Sequence, residues 1–428
     1  MKKVDLHHFS NKNNASAEAV LLAAVAAQEA LRKNQYTLDE YLDREVRDAV
    51  LRRRLSNLLF TLFRHKRFID QAIKVNCAKA PNNELYALLA AASAMAAYQD
   101  SLAPASVVNI AVAAAKKTHN AAVAKFVNAV LRKVLLQLAE INSKTPALPE
   151  NILKRWRKEF AAETVEHLNT LFQHEAPSTV RLRKNFAAPE ALQMLDIALE
   201  LPWKFYLPNN MTEVLTSDEF KQGAFYIQDP APAKVCSLLA ENHALLPAKV
   251  NFIDLCAAPG GKLIMNMELL QDLDHQVDAV ALDRSVKRLE LVKENLERCK
   301  LQAEVIAADA AAALQLADRS FELVTCDVPC SNSGVFRRRP DALWRWQVGA
   351  LEEICGLQQK ILNNAGRLTA PGGLLLYSTC SLEKEENQQQ IEKFLADNAD
   401  FKLIDMLLFM PDKYCDGTFA ALLQKNEA

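Results

Sequence analysis

From residue 16 to about residue 138 the apolar positions recur at three- and four-residue spacing, in runs at 19–31, 49–63, 85–97, 107–115 and 123–138. That period puts apolar side chains on one face and predicts helices. The runs stop at Lys33-Asn34, Pro81-Asn82-Asn83, Pro104 and Thr118-His119-Asn120, residues that end helices or turn the chain. No strand-like alternation intervenes, so residues 1–145 read as an all-helical domain of roughly five to seven helices. Residues 142–149, with Ser143, Pro146 and Pro149, read as a linker. Residues 146–228 read as a small mixed connector, in which 153–158 is amphipathic and Val180-Arg181-Leu182-Arg183 alternates like a strand. Beyond residue 229 the pattern changes. Strand-like runs at 250–255, 277–282, 304–307, 321–326 and 374–379 alternate with helical segments such as 285–299 and 350–364. Such alternation predicts a parallel sheet with helices on both faces over residues 229–428. The fold class is α + α/β.

Composition narrows the function only a little. The chain has 428 residues, room for two or three domains, and a formal net charge of −1. There is no global basic footprint, so a nucleic-acid partner has to be held by local patches, and a small-molecule enzyme fits the balance equally well. Arg52-Arg53-Arg54, Arg64-His65-Lys66-Arg67 and Lys116-Lys117 are either solvated helix faces or a phosphate-contacting surface. Nine cysteines in so long a chain do not make a disulfide framework and point to a reducing compartment. The first residues are charged and polar, and the longest apolar runs are alanine-rich and shorter than a bilayer span. The expectation is a soluble cytoplasmic protein with no membrane partner.

Candidate chemistry gathers at strand ends. Asp327-Val328-Pro329-Cys330-Ser331-Asn332-Ser333-Gly334 follows the run at 321–326, and Cys380 ends the run at 374–379. In an open α/β sheet that position is the lip of the ligand crevice. Two cysteines there, one near an aspartate, suggest thiolate chemistry. Cys380 also precedes Ser381-Leu382-Glu383-Lys384-Glu385-Glu386-Asn387, a plausible helix start, and a thiol at a helix N-terminus has a lowered pKa. Cys77, Cys236, Cys299, Cys355 and Cys415 sit in helical or terminal contexts and read as structural, and Cys326 lies inside its strand. Only His275 lies beyond residue 250, so no zinc site is expected.

Asp254-Leu255-Cys256-Ala257-Ala258-Pro259-Gly260-Gly261-Lys262 follows the first strand of the sheet and opens a helix. Its small residues let a ligand approach the backbone, and the helix offers free amides. It has neither the dinucleotide fingerprint nor a phosphate-binding Walker spacing. Asp283 and Asp309 follow the second and third strands, where an acid meets ribose hydroxyls or an adenine amino group; either alone is also a common helix cap. With Asp327 they favour a nucleoside ligand, and an adenosine with a sulfonium tail fits better than a pyrophosphate cofactor. After Gly334, Arg337-Arg338-Arg339 and Trp344-Arg345-Trp346 interleave arginine with aromatics, which suits phosphate contact and base stacking, or else a basic loop with core tryptophans.

At these residues the chain resembles the RsmB (Fmu/Sun) branch of the Nol/Nop/Sun family of RNA cytosine-5 methyltransferases. The strings 254–262, 327–344 and 377–387 carry the likeness, with 126–132 and Gln228-Asp229 extending it over nearly the whole chain. The chain departs from the pattern at Val328, where alanine is usual, and after Asp400, where Asp416-Gly417-Thr418-Phe419-Ala420 closes a short segment. The resemblance implies a NusB-like helical N-terminal domain and a Rossmann-like class I S-adenosylmethionine-dependent methyltransferase domain. It implies that Cys256, Ala257, Ala258, Pro259, Gly260, Gly261 and Lys262, with Asp283, Asp309 and Asp327, hold S-adenosylmethionine. It makes Cys380 the nucleophile at cytosine carbon 6, Asp327 the contact to the base's polar edge, Cys330 the aid to product release and Lys262 a further catalytic contact. The residues alone do not rank Cys380 above Cys330; the resemblance does. Its implied partner is small-subunit (16S) rRNA, for which Arg337, Arg338, Arg339 and Trp344 are the contacts expected from their chemistry, and the protein is expected to be a monomer without a metal. The competing readings are the same reaction on tRNA, which the helical N-terminus argues against, and a non-catalytic ribosome-assembly protein on this fold, which the two cysteines argue against.

Overall fold

The computed structural model describes residues 16–33 and 37–427, so the polar N-terminus and Asn34 of the first expected break lie outside the described residues. The chain divides into two compact units. One runs to Glu175 and includes Phe336–Arg345; the other comprises Ala176–Val335 and Trp346 onward.

The first unit is helical: α1 (Ala17–Arg32), α2 (Leu38–Glu45), α3 (Ala49–Arg64), α4 (Lys66–Asn76), α5 (Asn83–Tyr98), α6 (Pro104–Thr118), α7 (Ala121–Lys144), α8 (Glu150–Glu159) and α9 (Ala162–Leu171). The side chains of Ser16, Thr37, Asp48, Asn82 and Asn120 accept backbone amides at helix starts. At the centre, α5 is buried on every side from Ala87 to Ala96. Its alanines make it a thin rod, against which α1, α3, α4, α6 and α7 all pack. Helices α2 and α4 are additional to the five apolar runs, because their buried residues (Leu38, Tyr41, Leu42; Phe68, Ile69, Ala72, Ile73) are embedded in charged sequence.

Two expectations for this region change. The basic cluster at 64–67 is spent within the unit: Arg64 is 8% exposed and pairs with Glu175 at 2.9 Å, Lys66 pairs with Asp70 at 2.7 Å, and Arg67 with Glu150 at 3.3 Å. Burial, with the Arg64 charge, pushes the His65 imidazole down to about 4. Nor is 142–149 a free linker. Helix α7 continues through Lys144, and the amides of Ala147 and Leu148 both donate to the buried Asn169 Oδ1. Helices α8 and α9 therefore join the helical unit rather than the connector, with Trp156 fully buried against Phe172.

The second unit opens with β1 (Val180–Leu182), β2 (Met194–Ile197), β3 (Lys204–Pro208), α10 (Met211–Thr216), α11 (Asp218–Lys221) and β4 (Phe225–Ile227). These strands form an antiparallel sheet in the order β2-β3-β1-β4. It continues with α12 (Ala231–Asn242), β5 (Lys249–Asp254), α13 (Gly261–Asp272), β6 (Gln276–Asp283), α14 (Val286–Cys299), β7 (Glu304–Ala307) and β8 (Phe321–Asp327). Helix α15 (Pro340–Arg345) belongs to the helical unit; α16 (Val348–Leu368), β9 (Thr369–Thr379), α17 (Gln388–Asp397), β10 (Phe401–Phe409) and β11 (Thr418–Lys425) complete the second. The seven strands lie in the order β10-β11-β9-β8-β5-β6-β7. Five are parallel, as expected, but β11 and β10 run antiparallel, so the sheet is mixed. Residues of α12, α13 and α14 cover one face and those of α16 and α17 the other. The strand order reverses between β5 and β8, which places a crevice beyond their carboxyl ends.

The segment 336–345 corrects the reading of the arginine-rich lip. Phe336 is 1% exposed and packs on Trp156 and Phe172. Arg337 is 2% exposed, and its carbonyl accepts the Arg64 guanidinium at 3.0 Å. The Trp344 indole donates to Phe63 O at 2.7 Å, with Lys66 Nζ 5.3 Å from its ring. Arg337 is thus buried and Trp344 half-buried, each bonded within the helical unit. Arg338 is half-buried, and Arg339, although exposed, pairs with Asp39.

Two glycines of α16 test the packing. A Cβ at Gly366 would meet the Phe394 ring at 2.7 Å, and that ring is fully buried; a Cβ at the exposed Gly356 meets nothing within 4 Å. Gly366→Ala is expected to destabilise the chain by about 1–3 kcal/mol, whereas Gly356→Ala should stabilise it by roughly 0.5–1 kcal/mol. Urea unfolding of both variants checks the opposite signs.

Candidate active site

The loop between β5 and α13 lies across the end of β6. Ala257 N donates to Leu282 O at 3.0 Å, and Ala258 N to Asp283 Oδ2 at 3.2 Å. Asp283, 5% exposed, also accepts Ser285 N at 2.9 Å ahead of α14. From below, the Tyr226 hydroxyl and Asn295 Nδ2 both donate to Pro259 O, and Arg288 donates to Ala258 O. Gly260 has φ +102°, and a Cβ at Gly261 would stand 3.0 Å from Gln228 Nε2, so this turn admits glycine at both positions. The loop presents backbone rather than side chains. Ala257 and Ala258 are buried, and Cys256 packs on the core of the opposite face, where burial pushes its thiol well above the ordinary range. Asp309, just past β7, is exposed and accepts Ala311 N at 2.9 Å.

Lys262, in the first turn of α13, reaches the end of β8, where its Nζ lies 2.7 Å from Asp327 Oδ2. Asp327 Oδ1 accepts the Ser378 hydroxyl at 2.8 Å. Burial works against the Lys262 charge, but the Asp327 carboxylate outweighs it and the ammonium pKa rises. Asp254, 2% exposed at the end of β5, behaves oppositely. Burial, and secondarily the charges of Asp327 and Asp283, push its carboxyl up to about 7, against the Cys256 amide that favours the anion. Ser378 is a member of this cluster that residue-by-residue reading passed over. Its signal was the hydroxyl-bearing end Tyr377-Ser378-Thr379 of an otherwise apolar strand, just before Cys380.

Strands β8 and β9 pair with Asp327 opposite Ser378, so the chain reaches Cys330 and Cys380 a few residues past one shared rung. The two sulfurs stand 3.0 Å apart. Asn332, at φ +62°, holds the arrangement: its Nδ2 donates to Cys330 O at 3.0 Å, and its Oδ1 accepts from Cys380 Sγ at 3.4 Å. The Cys330 thiol is pushed well above the ordinary range, first by its contact with Cys380, then by burial and nearby negative charge. At Gly334 the backbone closes in, donating to Cys380 O and accepting from Gly417 N, each at 2.9 Å; a Cβ there would lie 2.8 Å from both carbonyls, Cys380 O and Gly417 O.

Cys380 does not sit at a helix N-terminus. Helix α17 begins only at Gln388, because residues 381–387 form a turn whose side chains bond across the site instead of to a helix. Asn387 illustrates this, accepting the Thr379 hydroxyl at 2.7 Å and donating to Ser381 O at 2.9 Å.

The pH dependence of stability follows from Asp254. Its folded-state pKa, about 7, lies above the ordinary 3.8, so the folded chain holds this proton more tightly than the unfolded one. Its contribution is complete below the unfolded value and is lost as pH rises through about 7. Asp254→Asn is expected to flatten the decline between these limits and to leave the variant more stable than the wild type at pH 8, by on the order of a few kcal/mol. Urea unfolding across that range measures both slopes.

Comparisons with known proteins agree with this division of the chain. A family model described as 16S rRNA methyltransferase RsmB/F matches residues 243–422, and one described as the NusB family matches residues 14–136. Ribosomal RNA small subunit methyltransferase B of Shewanella oneidensis is 35% identical over 293 residues, 65% of each chain. The Pasteurella multocida protein of the same name is 40% identical over 191 residues, 43% of this chain and 41% of its own. The matches thus span between 41% and 65% of these relatives' length. The crystal structure of PH0851 shares the fold, with a TM-score of 0.71 at 23% identity over 95% of this chain and 99% of that one. Residues 243–422, which carry the paired thiols, match the RsmB/F methyltransferase family, and residues 14–136 of the helical stretch before them match the NusB family.

Proposed function

We propose that this chain transfers a methyl group from S-adenosylmethionine to carbon 5 of a cytosine in small-subunit rRNA, through a covalent bond between Cys380 and the base. The observation that carries the reading is the pair of sulfurs 3.0 Å apart at adjacent strand ends, in the unit where Lys262 is bonded to Asp327. The relatives' printed names, small subunit rRNA methyltransferase, support the choice of rRNA.

The residues present fit the cofactor. The glycine turn leaves no side chain between a ligand and the loop backbone, and Asp283 has acceptor capacity beyond its two amide bonds. Asp283, Asp309 and the loop 256–262 would hold the nucleoside, with Asp327 beside them. When bound, S-adenosylmethionine supplies an electrophilic methyl group. Cytosine carbon 5 is too weak a nucleophile to accept it unaided. Addition of the Cys380 thiolate to carbon 6 of an unstacked base relieves this by moving electron density to carbon 5. Asp327, fixed by Lys262 and Ser378, would meet the polar edge of the ring, where its carboxylate favours protonation of the ring nitrogen and so neutralises the negative charge that the addition brings. Release breaks the carbon–sulfur bond and removes the carbon 5 proton: Cys330, 3.0 Å from the departing sulfur, would give its proton to that sulfur and take the carbon 5 proton in its place.

Separating the two cysteines tests the reading. Cys380→Ala should give no methylation and no covalent RNA complex. Cys330→Ala should still add and methylate, then accumulate a protein–RNA adduct on a denaturing gel. Adduct in the Cys380 variant alone would exchange the two roles, and wild-type turnover in both variants would eliminate thiolate catalysis. Bisulfite sequencing of rRNA and tRNA from a deletion strain identifies the substrate.

A further inference from the structure

Near the end of the turn after Cys380 stands Glu386, whose side chain is completely buried. A buried carboxylate is costly unless its oxygens are hydrogen-bonded. Here Oε2 accepts the Ser331 amide at 2.8 Å and Gln358 Nε2 at 2.9 Å, and Oε1 accepts the Ser381 hydroxyl at 2.5 Å. Ser331 follows Cys330 and Ser381 follows Cys380, so the two oxygens of one carboxylate grip the neighbours of both thiols. Gln358, on α16, also donates to Pro329 O at 2.9 Å, on the other side of Cys330. Glu386 is itself fixed, since its carbonyl accepts the hydroxyl of the fully buried Tyr377 at 2.7 Å.

We propose that Glu386 is a positioning residue: its carboxylate bridges the two cysteine loops and holds Cys330 and Cys380 in the placement that methyl transfer uses. The inference rests on the function proposed above. Three neutral groups donate to this carboxylate, so it acts on the thiols by charge as well as by geometry. The titratable groups facing Cys330 are Cys380 at the end of β9, Tyr377 within that strand, and Glu386. On α16, the Cys355 thiol donates to Glu385 O at 3.4 Å, and on β8 Asp327 is engaged by Lys262. The Glu386 carboxylate disfavours a thiolate at Cys330 and so helps to keep that sulfur protonated.

Full-length Glu386→Gln and Glu386→Ala test this. Glutamine can keep the bridge, its oxygen accepting Ser331 N and its amide donating to the Ser381 hydroxyl, while removing the charge; alanine removes both. Single-turnover methylation should fall by about 100-fold in Glu386→Ala, with unchanged S-adenosylmethionine affinity by calorimetry. Iodoacetamide labelling of Cys330, followed by mass spectrometry against pH, should shift to lower pH in Glu386→Gln, which a purely structural role would not produce. Wild-type turnover in a folded Glu386→Ala, or superimposed Cys330 labelling curves in wild type and Glu386→Gln, would overturn the proposal. If Glu386→Ala does not fold, the glutamine variant decides. If the wild type methylates no RNA, the functional reading fails by itself and the labelling comparison still judges Glu386.

Discussion

Strands β8 and β9 lie in parallel register from Leu323 opposite Leu374 to Asp327 opposite Ser378, and the chemistry beyond them inherits that register. A slip of one residue would turn Asp327 and Ser378 to opposite faces, break their hydrogen bond and carry the two cysteines apart. What prevents the slip is ordinary core packing. Leu323, Leu374 and Leu376 are buried on one face, and Val324, Cys326, Leu375 and Tyr377 on the other. The reactive groups are placed by residues that take no part in any reaction.

The same sheet sets the electrostatics. Asp254 and Asp327 end the neighbouring strands β5 and β8, and Asp283 ends β6 on the other side. Such carboxylates, brought together out of water, cannot all be comfortable as anions. Lys262 settles Asp327, backbone amides settle Asp283, and Asp254 gives way by holding its proton to about pH 7.

Much of this was legible in the sequence. Long periodic helices and buried parallel strands announce themselves because local spacing and burial agree: β7 spans the expected residues, and the other expected strands differ mainly at their ends. The strand-end acids and cysteines were visible because such residues make poor core. Three things were not legible. Strand β10 is broken by a bulge between Leu403 and Asp405, and its apolar residues do not alternate cleanly. The turn after Cys380 has a helix-like composition, yet its Glu386 and Asn387 find better partners across the site than along a helix. Arg337 looks like a surface cation until the chain is folded, because its burial depends on helices far away in sequence.

The excursion of Phe336–Arg345 into the helical unit has a consequence for how the protein is made and cut. On the ribosome, the helical unit is finished only once residue 345 has emerged, when most of the second unit's strands have already been synthesised. Folding cannot be a strict sequence of one domain and then the next. For the same reason, a fragment beginning at Ala176 is not a clean domain. It would carry Phe336 and Leu343, buried in the whole chain, without the helices that enclose them. The two units interleave in the sequence, so a cut at residue 175 does not divide the chain into them.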